Sequence, residues 1–373
     1  MKLFNKSFFT ISVVFSIILG VNYAIANDKN YIAYILAGDS YSSNTKPTLY
    51  SIDLCTNKII NTQKISSSAN SVSENLLSFG TNSQYLCILL SNPTRLIIKD
   101  IRTLKDLNYY SEDILYPTAI SIPKKEKIWL NGQQRNLKDI IKVIEFSNLE
   151  KLNEYIIRDP KLMFSSNNTI STSNQHLYFS LTSPGGDINI IDTDKNEIIE
   201  NIYLDDRSLW PGGVVVSTDN TKLYLQAYLL KPSIQYLKVI ELPTGRVLRT
   251  LDIEANPLAV SPNGYFIYAL SLCNENKIIF KIIETVNYNI ISTFIIGDYS
   301  EYGLYKHSNI SIDGRYLVML FTGPSTSFSN YRYKGPIYVL IFDSKKMEMN
   351  KLMLKTDNPA GVVIYEYDKV GSE

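Results

Sequence analysis

The most constraining feature of the sequence is a short pattern that recurs along most of its length. Two or three β-forming residues precede an acidic residue, a turn follows, and a second β-forming run comes after it. The acidic residue falls at seven positions: Asp53, Asp100, Glu145, Asp192, Glu241, Glu284 and Asp343. Successive copies are between 43 residues (Glu241 to Glu284) and 59 residues (Glu284 to Asp343) apart. Each copy predicts two strands joined by a turn.

A second pattern alternates with the first. A short apolar strand ends in Ser, a tight turn follows, and the next strand is rich in Leu, Ile and Tyr. The clearest copies have Ser217, Ser261 and Ser311, and their turns contain Asp-Asn, Asn-Gly and Asp-Gly. Such residues tolerate positive φ and therefore join antiparallel strands. Together the two patterns predict four short strands in every unit of about 45 to 50 residues.

Four-stranded units at this period indicate the blades of a β-propeller. One unit cannot bury both of its faces, so the units must pack side by side around an axis. After the N-terminal segment the chain opens with a second-strand sequence, residues 31–36, and residues 358–364 supply an unmatched first strand. The sequence therefore predicts an all-β, seven-bladed β-propeller of four-stranded blades. A C-terminal strand that completes the N-terminal blade would close the ring.

Residues 260–264 read Val-Ser-Pro-Asn-Gly and lead to Ile267 and Tyr268, and Ile-Asp-Thr and Asn-Lys units stand between such copies. In these residues the chain resembles the YVTN-type β-propeller repeat proteins of the quinoprotein amine dehydrogenase-like superfamily. The resemblance spans residues 31–365 and is strongest over residues 186–320. It implies a propeller fold, although the YVTN tetrapeptide is not intact here. The alternative WD40 type would carry a Trp-Asp dipeptide, which this sequence lacks.

The first 26 residues have the three zones of an export signal. Lys2 and Lys6 give a positive start, residues 8–21 form an apolar run, and residues 24–26 read Ala-Ile-Ala, which suits signal peptidase. We predict that residues 1–26 are a signal peptide and that residues 27–373 form a single exported propeller domain. An uncleaved anchor is the alternative. The expected location is the periplasm or the exterior of a bacterium, and we expect no integral membrane segment after cleavage.

Charge and cysteine content exclude some classes of protein and site. The chain has 37 basic and 36 acidic residues, which argues against nucleic-acid binding through bulk positive charge. None of the three Cys residues lies in a CxxC pair, so no metal or redox pair of that kind is predicted. Cys87 stands in an apolar run and is expected in the core. A bridge between Cys55 and Cys273 is an open alternative.

In propellers, the loops between second and third strands share one rim with the loops between blades, which we call the long-loop rim. The opposite rim carries the turns that follow Ser217, Ser261 and Ser311, and we call it the short-turn rim. Three loops of the long-loop rim are rich in aromatic and charged residues, the types that dominate binding hot spots. The predicted ligand- or partner-binding residues are Asp206, Arg207, Trp210, Tyr302, Tyr305, His307, Tyr331 and Arg332. The alternatives are that these residues reflect the abundance of Tyr and that Trp210 only packs over the channel mouth.

The sequence contains only two His residues and no HExxH, GxSxG, P-loop or EF-hand pattern. We therefore predict no catalytic residue, no metal ligand and no cofactor. The leading hypothesis is an exported, monomeric, non-enzymatic propeller that binds a protein or a small ligand on the long-loop rim. Two enzymatic alternatives remain open. One is a lactonase-like hydrolase that uses His307, Arg332 and rim acids; the other, implied by the resemblance, is an amine dehydrogenase-like large subunit with a redox partner.

Overall fold

The computed structural model describes residues 29–38, 47–65, 71–79, 85–91, 94–112, 114–122, 127–133, 139–145, 151–157, 164–170, 176–181, 188–195, 197–203, 209–229, 234–242, 244–272, 276–303, 305–323, 336–356 and 359–368. The predicted signal peptide lies outside these residues, as does Cys273. The described residues contain no helix that is long and apolar enough to cross a membrane.

Nearly all of the described chain is β-structure. The strands are β1 (Lys29–Ala37), β2 (Thr48–Asp53), β3 (Lys58–Lys64), β4 (Ser71–Phe79), β5 (Tyr85–Ser91), β6 (Thr94–Asp100), β7 (Asp106–Glu112), β8 (Leu115–Ile122), β9 (Lys127–Gln133), β10 (Asp139–Glu145), β11 (Lys151–Ile157), β12 (Phe164–Ile170), β13 (His176–Leu181), β14 (Ile188–Asp192), β15 (Glu197–Ile202), β16 (Trp210–Val216), β17 (Lys222–Leu229), β18 (Ile234–Glu241), β19 (Val247–Leu251), β20 (Asn256–Val260), β21 (Phe266–Leu272), β22 (Lys277–Glu284), β23 (Ile290–Asp298), β24 (Tyr305–Ile310), β25 (Tyr316–Phe321), β26 (Ile337–Asp343), β27 (Glu348–Leu354) and β28 (Pro359–Asp368). A short helix, α1 (Tyr299–Tyr302), follows β23.

The strands of the described residues form seven sheets, and each sheet has four antiparallel strands. Six contain four consecutive strands: sheet B (β4–β7), sheet C (β8–β11), sheet D (β12–β15), sheet E (β16–β19), sheet F (β20–β23) and sheet G (β24–β27). Sheet A has the order β28-β1-β2-β3, so it joins the last strand of the chain to the first three. The predicted all-β class and the four-stranded units are confirmed.

The acidic residue of the first sequence pattern ends the third strand of each sheet and closes the turn that follows in several of them. After β6, Asp100 Oδ1 accepts hydrogen bonds from the backbone N–H of Thr103 (2.7 Å) and of Arg102 (3.1 Å). These N–H donors, that of Thr103 first, lower the pKa of the Asp100 carboxyl. Backbone donors of the turn are bonded in the same way by the carboxylates of Asp53, Asp192 and Asp343. The repeated acid is thus a turn-forming residue.

The Ser of the second pattern is buried where the first strand of a sheet ends. After β20, Ser261 Oγ donates to Asn263 Oδ1 (2.6 Å) and accepts from the backbone N–H of Phe266 (2.9 Å). Ser217 and Ser311 make the equivalent pairs of bonds in sheets E and G. Three residues after each of these Ser residues the backbone has positive φ, at Asn220, Gly264 and Gly314. The side-chain bonds and the left-handed residue together specify the turn.

These turns also fix the spacing between neighbouring sheets. A Cβ on Gly314 would lie 2.4 Å from Cδ of Pro262, which belongs to the equivalent turn of sheet F. A Cβ on Gly264 would lie 2.6 Å from Oγ1 of Thr218 in the turn of sheet E. Only a residue without a side chain fits at these two close approaches. The short-turn rim is therefore tightly packed.

The apolar core of the described residues lies between neighbouring sheets. Along β1 the side chains alternate, so that Leu36 packs with sheet B while Ile35 packs with sheet G. Further apolar clusters join sheets B and C, D and E, E and F, and F and G. Cys87 is buried between sheets B and C, as its apolar surroundings predict. Contacts between β8 and β12 link sheets C and D.

The two ends of the chain meet in sheet A. Strands β1 and β28 pair from Lys29 opposite Asp368 to Ala37 opposite Pro359, and Lys29 forms an ion pair with Glu366. The Tyr31 hydroxyl donates to Asp313 Oδ2 of sheet G (2.6 Å). Burial, reinforced by that carboxylate, raises the pKa of Tyr31. The first described strand is thereby bonded both to the last strand and to the neighbouring sheet.

Candidate functional site

A cavity of about 220 Å³ lies where sheets E, F and G meet. Sheet E contributes the amide side chains of Gln226 and Gln235. Sheet F, with the segment that follows it, and sheet G contribute the remaining lining residues: Asn256, Leu270, Ser271, Ile278, Tyr299, Gly303, Tyr305 and Phe321. None of these residues carries a formal charge at neutral pH. The cavity is thus a neutral site with polar groups and an apolar, aromatic wall.

The cavity opens on the long-loop rim. Gln226 lies near the end of the second strand of sheet E, and Gln235 near the start of the third. Ser271 and Ile278 occupy the same positions in sheet F. Asn256 begins the first strand of its sheet. All of these are strand ends that border loops between second and third strands or between sheets, the loops that define this rim.

The amides of Gln226 and Gln235 form one face of the cavity. Gln226 Nε2 donates to Gln235 Oε1 across β17 and β18 (2.7 Å). Side chains alternate along a strand, so Gln226 points to the same side of β17 as Tyr224, which packs against sheet F. Pairing the two amides holds both in one orientation on the face of sheet E that is turned toward sheet F.

Two consecutive glycines in β16 make room for the amides. A Cβ on Gly212 would lie 2.3 Å from Gln226 Oε1. A Cβ on Gly213 would lie 2.0 Å from Asn256 Oδ1 and 3.2 Å from the backbone oxygen of Pro257. Glycine inside a strand commonly marks such a close approach. The glycine pair therefore positions the polar lining of the cavity, and it lies outside any phosphate-binding loop.

Two polar atoms of the lining are buried without a hydrogen-bond partner among the described residues: Ser271 Oγ and Asn256 Oδ1. The Ser271 residue is only 4% exposed. An unpaired buried polar group costs about 1–3 kcal/mol, so such groups are rare in folded proteins. A ligand that hydrogen-bonds to these atoms would recover part of that cost.

The wall on the side of sheet G is aromatic. Tyr299 belongs to α1, and its backbone N–H donates to the carbonyl oxygen of Asn276 (2.7 Å), which ties the helix to sheet F. Tyr305 begins β24; its hydroxyl lies 2.8 Å from Ser308 Oγ, and burial raises its pKa to about 12. Tyr305 is therefore protonated at neutral pH. Phe321 ends β25 and packs edge-on against the Tyr305 ring, with 5.8 Å between centroids.

The backbone around α1 is closely packed. Gly303 has a φ of +61°, and a Cβ there would lie 2.5 Å from the carbonyl oxygen of Gly323. A Cβ on Gly297 would lie 2.4 Å from the Tyr302 ring. These contacts fix the segment that carries Tyr299 at the cavity rather than leaving it as a loose loop.

The sequence-predicted site residues fall into four groups. Tyr305 lines the cavity. Trp210 begins β16 and stacks on Tyr228, with 6.4 Å between ring centroids. Tyr228 lies two residues after Gln226, on the same face of β17, so this aromatic pair borders the same rim.

Tyr302 and His307 lie near the cavity wall. Tyr302 is 5% exposed and packs in the core between sheets F and G, where the Lys351 ammonium lies 4.3 Å from its ring centroid. His307 is half-buried in β24, directly after an irregularity in the pairing with β25. Four predicted residues lie outside the described residues: Asp206, Arg207, Tyr331 and Arg332.

Sequence reasoning missed the polar lining itself. Gln226, Gln235, Asn256 and Ser271 are single polar residues within or beside apolar strands, and a single polar residue is a weak signal. The stronger signal was Gly212-Gly213. The sequence placed this pair in a loop, whereas the structure places it inside β16, where glycine indicates close approach of another group. Among the described residues no group of three or more His, Cys, Asp or Glu side chains could hold a metal ion.

Comparison with known proteins supports the fold but gives no family. No protein-family model matches the sequence, and no curated protein sequence matches it. The structure is similar to a putative 6-phosphogluconolactonase from Bacteroides uniformis, with a TM-score of 0.58 and 12% identity, over 91% of this chain and 100% of the other. It is also similar to hydrazine synthase from Kuenenia stuttgartiensis, with a TM-score of 0.56 and 12% identity, over 86% of this chain and 95% of the other.

A third similar structure is the β-propeller domain of Swd1 from Myceliophteria thermophila, with a TM-score of 0.50 and 12% identity, over 76% of this chain and 86% of the other. The fold is a β-propeller. At identities this low the likeness extends to the fold alone, and propellers include both enzymes and binding proteins. The function must therefore be argued from the site.

The close approach of Gly213 to Asn256 predicts an energetic coupling between these positions. We expect Gly213→Ala to lower the free energy of unfolding by about 1–3 kcal/mol, because the new methyl group would displace the Asn256 amide. In an Asn256→Ala background the same change should cost less by about 1 kcal/mol or more. Urea denaturation of the two single variants and the double variant measures the coupling.

The control pair is Gly213→Ala with Ile312→Ala. Ile312 is exposed on the short-turn rim, so these two changes should be additive within about 0.5 kcal/mol. Additivity of Gly213→Ala with Asn256→Ala as well would show that the glycine does not accommodate the amide.

Proposed function

We propose that this chain is an exported, monomeric, non-enzymatic propeller that binds a small uncharged ligand in the cavity on the long-loop rim. The observation that carries the proposal is the composition of that cavity. Amide, hydroxyl and aromatic groups line it, and two of its buried polar atoms have no hydrogen-bond partner among the described residues. Concave sites of this kind, mostly apolar with a few oriented polar groups, are typical of ligand binding.

The proposed ring has seven blades of the YVTN type and is closed by the C-terminal strand. Support comes from the seven sheets of the described residues and from the pairing of β28 with β1. The first strand of each sheet also contacts the first strand of the next, including β24 with β28 and β28 with β4. Ser-containing turns with a left-handed residue, as after Ser261, support the repeat type.

The proposal of export rests on the positive, apolar and small-residue zones of residues 1–26. The chain recovered from the envelope fraction or the medium of expressing bacteria should begin at Asn27, as measured by intact mass. Recovery of the chain from the cytoplasm with residues 1–26 attached would contradict export. Recovery from the membrane fraction with these residues attached would favour the uncleaved anchor.

Binding is favoured over catalysis because the described lining residues include no carboxylate, His, Cys or Lys. General acid–base and nucleophilic catalysis most often use such groups within hydrogen-bond reach of the substrate. A small ligand is favoured over a protein partner because the site is concave. A protein partner would depend chiefly on the rim residues Asp206, Arg207, Tyr331 and Arg332, which lie outside the described residues.

The proposal predicts a preference for uncharged compounds. Residues 27–373 should be screened by ligand-observed NMR against a library of uncharged, anionic and cationic molecules of similar size. We expect binding mainly by uncharged members, since a buried charge without a partner loses hydration that nothing replaces. Tyr299→Ala, which removes a cavity wall, should abolish or strongly weaken the signal.

The matched control is Tyr265→Ala, which removes an exposed Tyr on the short-turn rim and should leave binding unchanged. Equal binding by all three proteins would place the ligand elsewhere and contradict the proposal. Conversion of a library compound by catalytic amounts of protein, lost in His307→Ala, would instead support the lactonase-like alternative.

A further inference from the structure

The charge of the cavity restricts the ligand that it could hold. No described lining residue bears a charge, and the Tyr305 hydroxyl remains protonated because burial raises its pKa. An ionic group placed there would lose its hydration without gaining an opposite charge. The occupant is therefore neutral.

The unpaired polar atoms favour an occupant with hydrogen-bonding groups over a purely apolar one. Ser271 Oγ can donate and accept, and Asn256 Oδ1 can accept, but neither has a partner among the described residues. An apolar molecule would leave both atoms unpaired, whereas an occupant with hydroxyl groups can supply the missing hydrogen bonds. The occupant favoured by this lining offers hydrogen-bond donors and acceptors toward sheet F.

The position of the remaining groups adds a third requirement. Amides of Gln226 and Gln235 approach from sheet E, and the rings of Tyr305 and Phe321 approach from sheet G. The occupant must therefore present polar groups on more than one side and still offer an apolar face to the aromatic wall. The volume of about 220 Å³ is below the roughly 300–1,000 Å³ of sites for drug-sized ligands, so the cavity suits a compact ligand of about one ring.

We propose that the cavity binds one ring of a neutral saccharide. A sugar ring carries hydroxyl groups around its circumference, each both donor and acceptor, and C–H groups on its faces. The hydroxyl groups match the Ser271 hydroxyl and the amides of Asn256, Gln226 and Gln235. The C–H faces match Tyr305 and Phe321. This inference rests on the proposed function and specifies the ligand of the same site.

Ser271 gives the sharpest test because the chain supplies a matched control. Ser51, in β2 of sheet A, is also buried, at 3% exposure, and its Oγ also lacks a hydrogen-bond partner among the described residues. Ser51 does not line the cavity. Replacing either Ser by Ala removes an unpaired buried hydroxyl. The urea midpoint of each variant should therefore equal that of the wild type or lie slightly above it.

Residues 27–373 of the wild type, Ser271→Ala and Ser51→Ala should be titrated by saturation-transfer NMR at pH 7. The neutral probes are glucose, galactose, mannose, N-acetylglucosamine and cellobiose. The charged probes, on the same ring, are glucuronate and glucosamine. Uridine and N-acetylglycine methylamide represent other neutral ligands.

We expect at least one neutral sugar to bind, and glucuronate and glucosamine to bind at least tenfold more weakly than it does. Ser271→Ala should raise the Kd of that sugar about three- to tenfold through loss of one hydrogen bond, and Ser51→Ala should not change it. Sugar binding that is insensitive to Ser271→Ala would overturn the inference.

The remaining outcomes separate the inference from the proposed function. If only uridine or the capped amide binds, with the same sensitivity to Ser271→Ala, the saccharide inference fails and ligand binding in the cavity stands. If no probe binds and the broader library also gives no hit, both fail.

Discussion

A four-stranded sheet that is apolar on both faces needs a neighbour on each side, and the rest of this structure depends on that constraint. Strand β1 shows it most directly, since Leu36 packs with sheet B and Ile35 with sheet G. A linear row of such sheets would leave two apolar faces in water, at about 25 cal/mol for each Å² exposed. Packing the first sheet against the last removes both faces.

This constraint explains why the two ends of the chain share a sheet. In sheet A, β28 supplies the first strand and residues 29–64 the other three. Polar contacts secure the same region. Lys29 pairs with Glu366, and the Tyr31 hydroxyl donates to Asp313 of sheet G. The Arg315 guanidinium lies over the Tyr31 ring, 5.6 Å from its centroid. The short-turn rim is thus bonded at the junction of sheets A and G, whereas the long-loop rim contains the cavity.

How much of the molecule the sequence could predict differs between the two rims, because the short-turn rim depends on local contacts and the cavity on contacts between sheets. Acids such as Asp100 and the buried Ser261 act within their own turns, so local patterns predicted these turns and the strands beside them. The ends of the long loops were predicted less well, since Trp210, Tyr305 and His307 were placed in loops and lie in β16 and β24. The pairing of the chain ends was predicted because residues 358–364 repeat the first-strand pattern. These features depend on contacts between residues that are close in sequence, or on a repeated pattern. A single sequence shows both.

The cavity could not be predicted in the same way. Gln226, Asn256 and Tyr305 belong to three different sheets, and only packing of those sheets brings them together. The predicted aromatic loops contributed Tyr305, while the Tyr302 ring packs in the core. The glycines at 212 and 213 were visible in the sequence. The side chains that lie against them, Gln226 and Asn256, belong to other strands. A linear pattern does not show which strands pack side by side.

Pairing of β28 with β1 joins the two ends of the chain, and we expect it to stabilise the packed sheets and hence the cavity. Strand complementation tests it most directly: a chain of residues 27–358 is unfolded in urea with and without a synthetic peptide of residues 359–368. We expect a lower midpoint for the shortened chain and recovery as the peptide concentration rises, with no recovery by a scrambled peptide. An unchanged midpoint in the shortened chain, or a lowered one that the peptide does not restore, would show that the pairing of β28 with β1 does not stabilise the sheets.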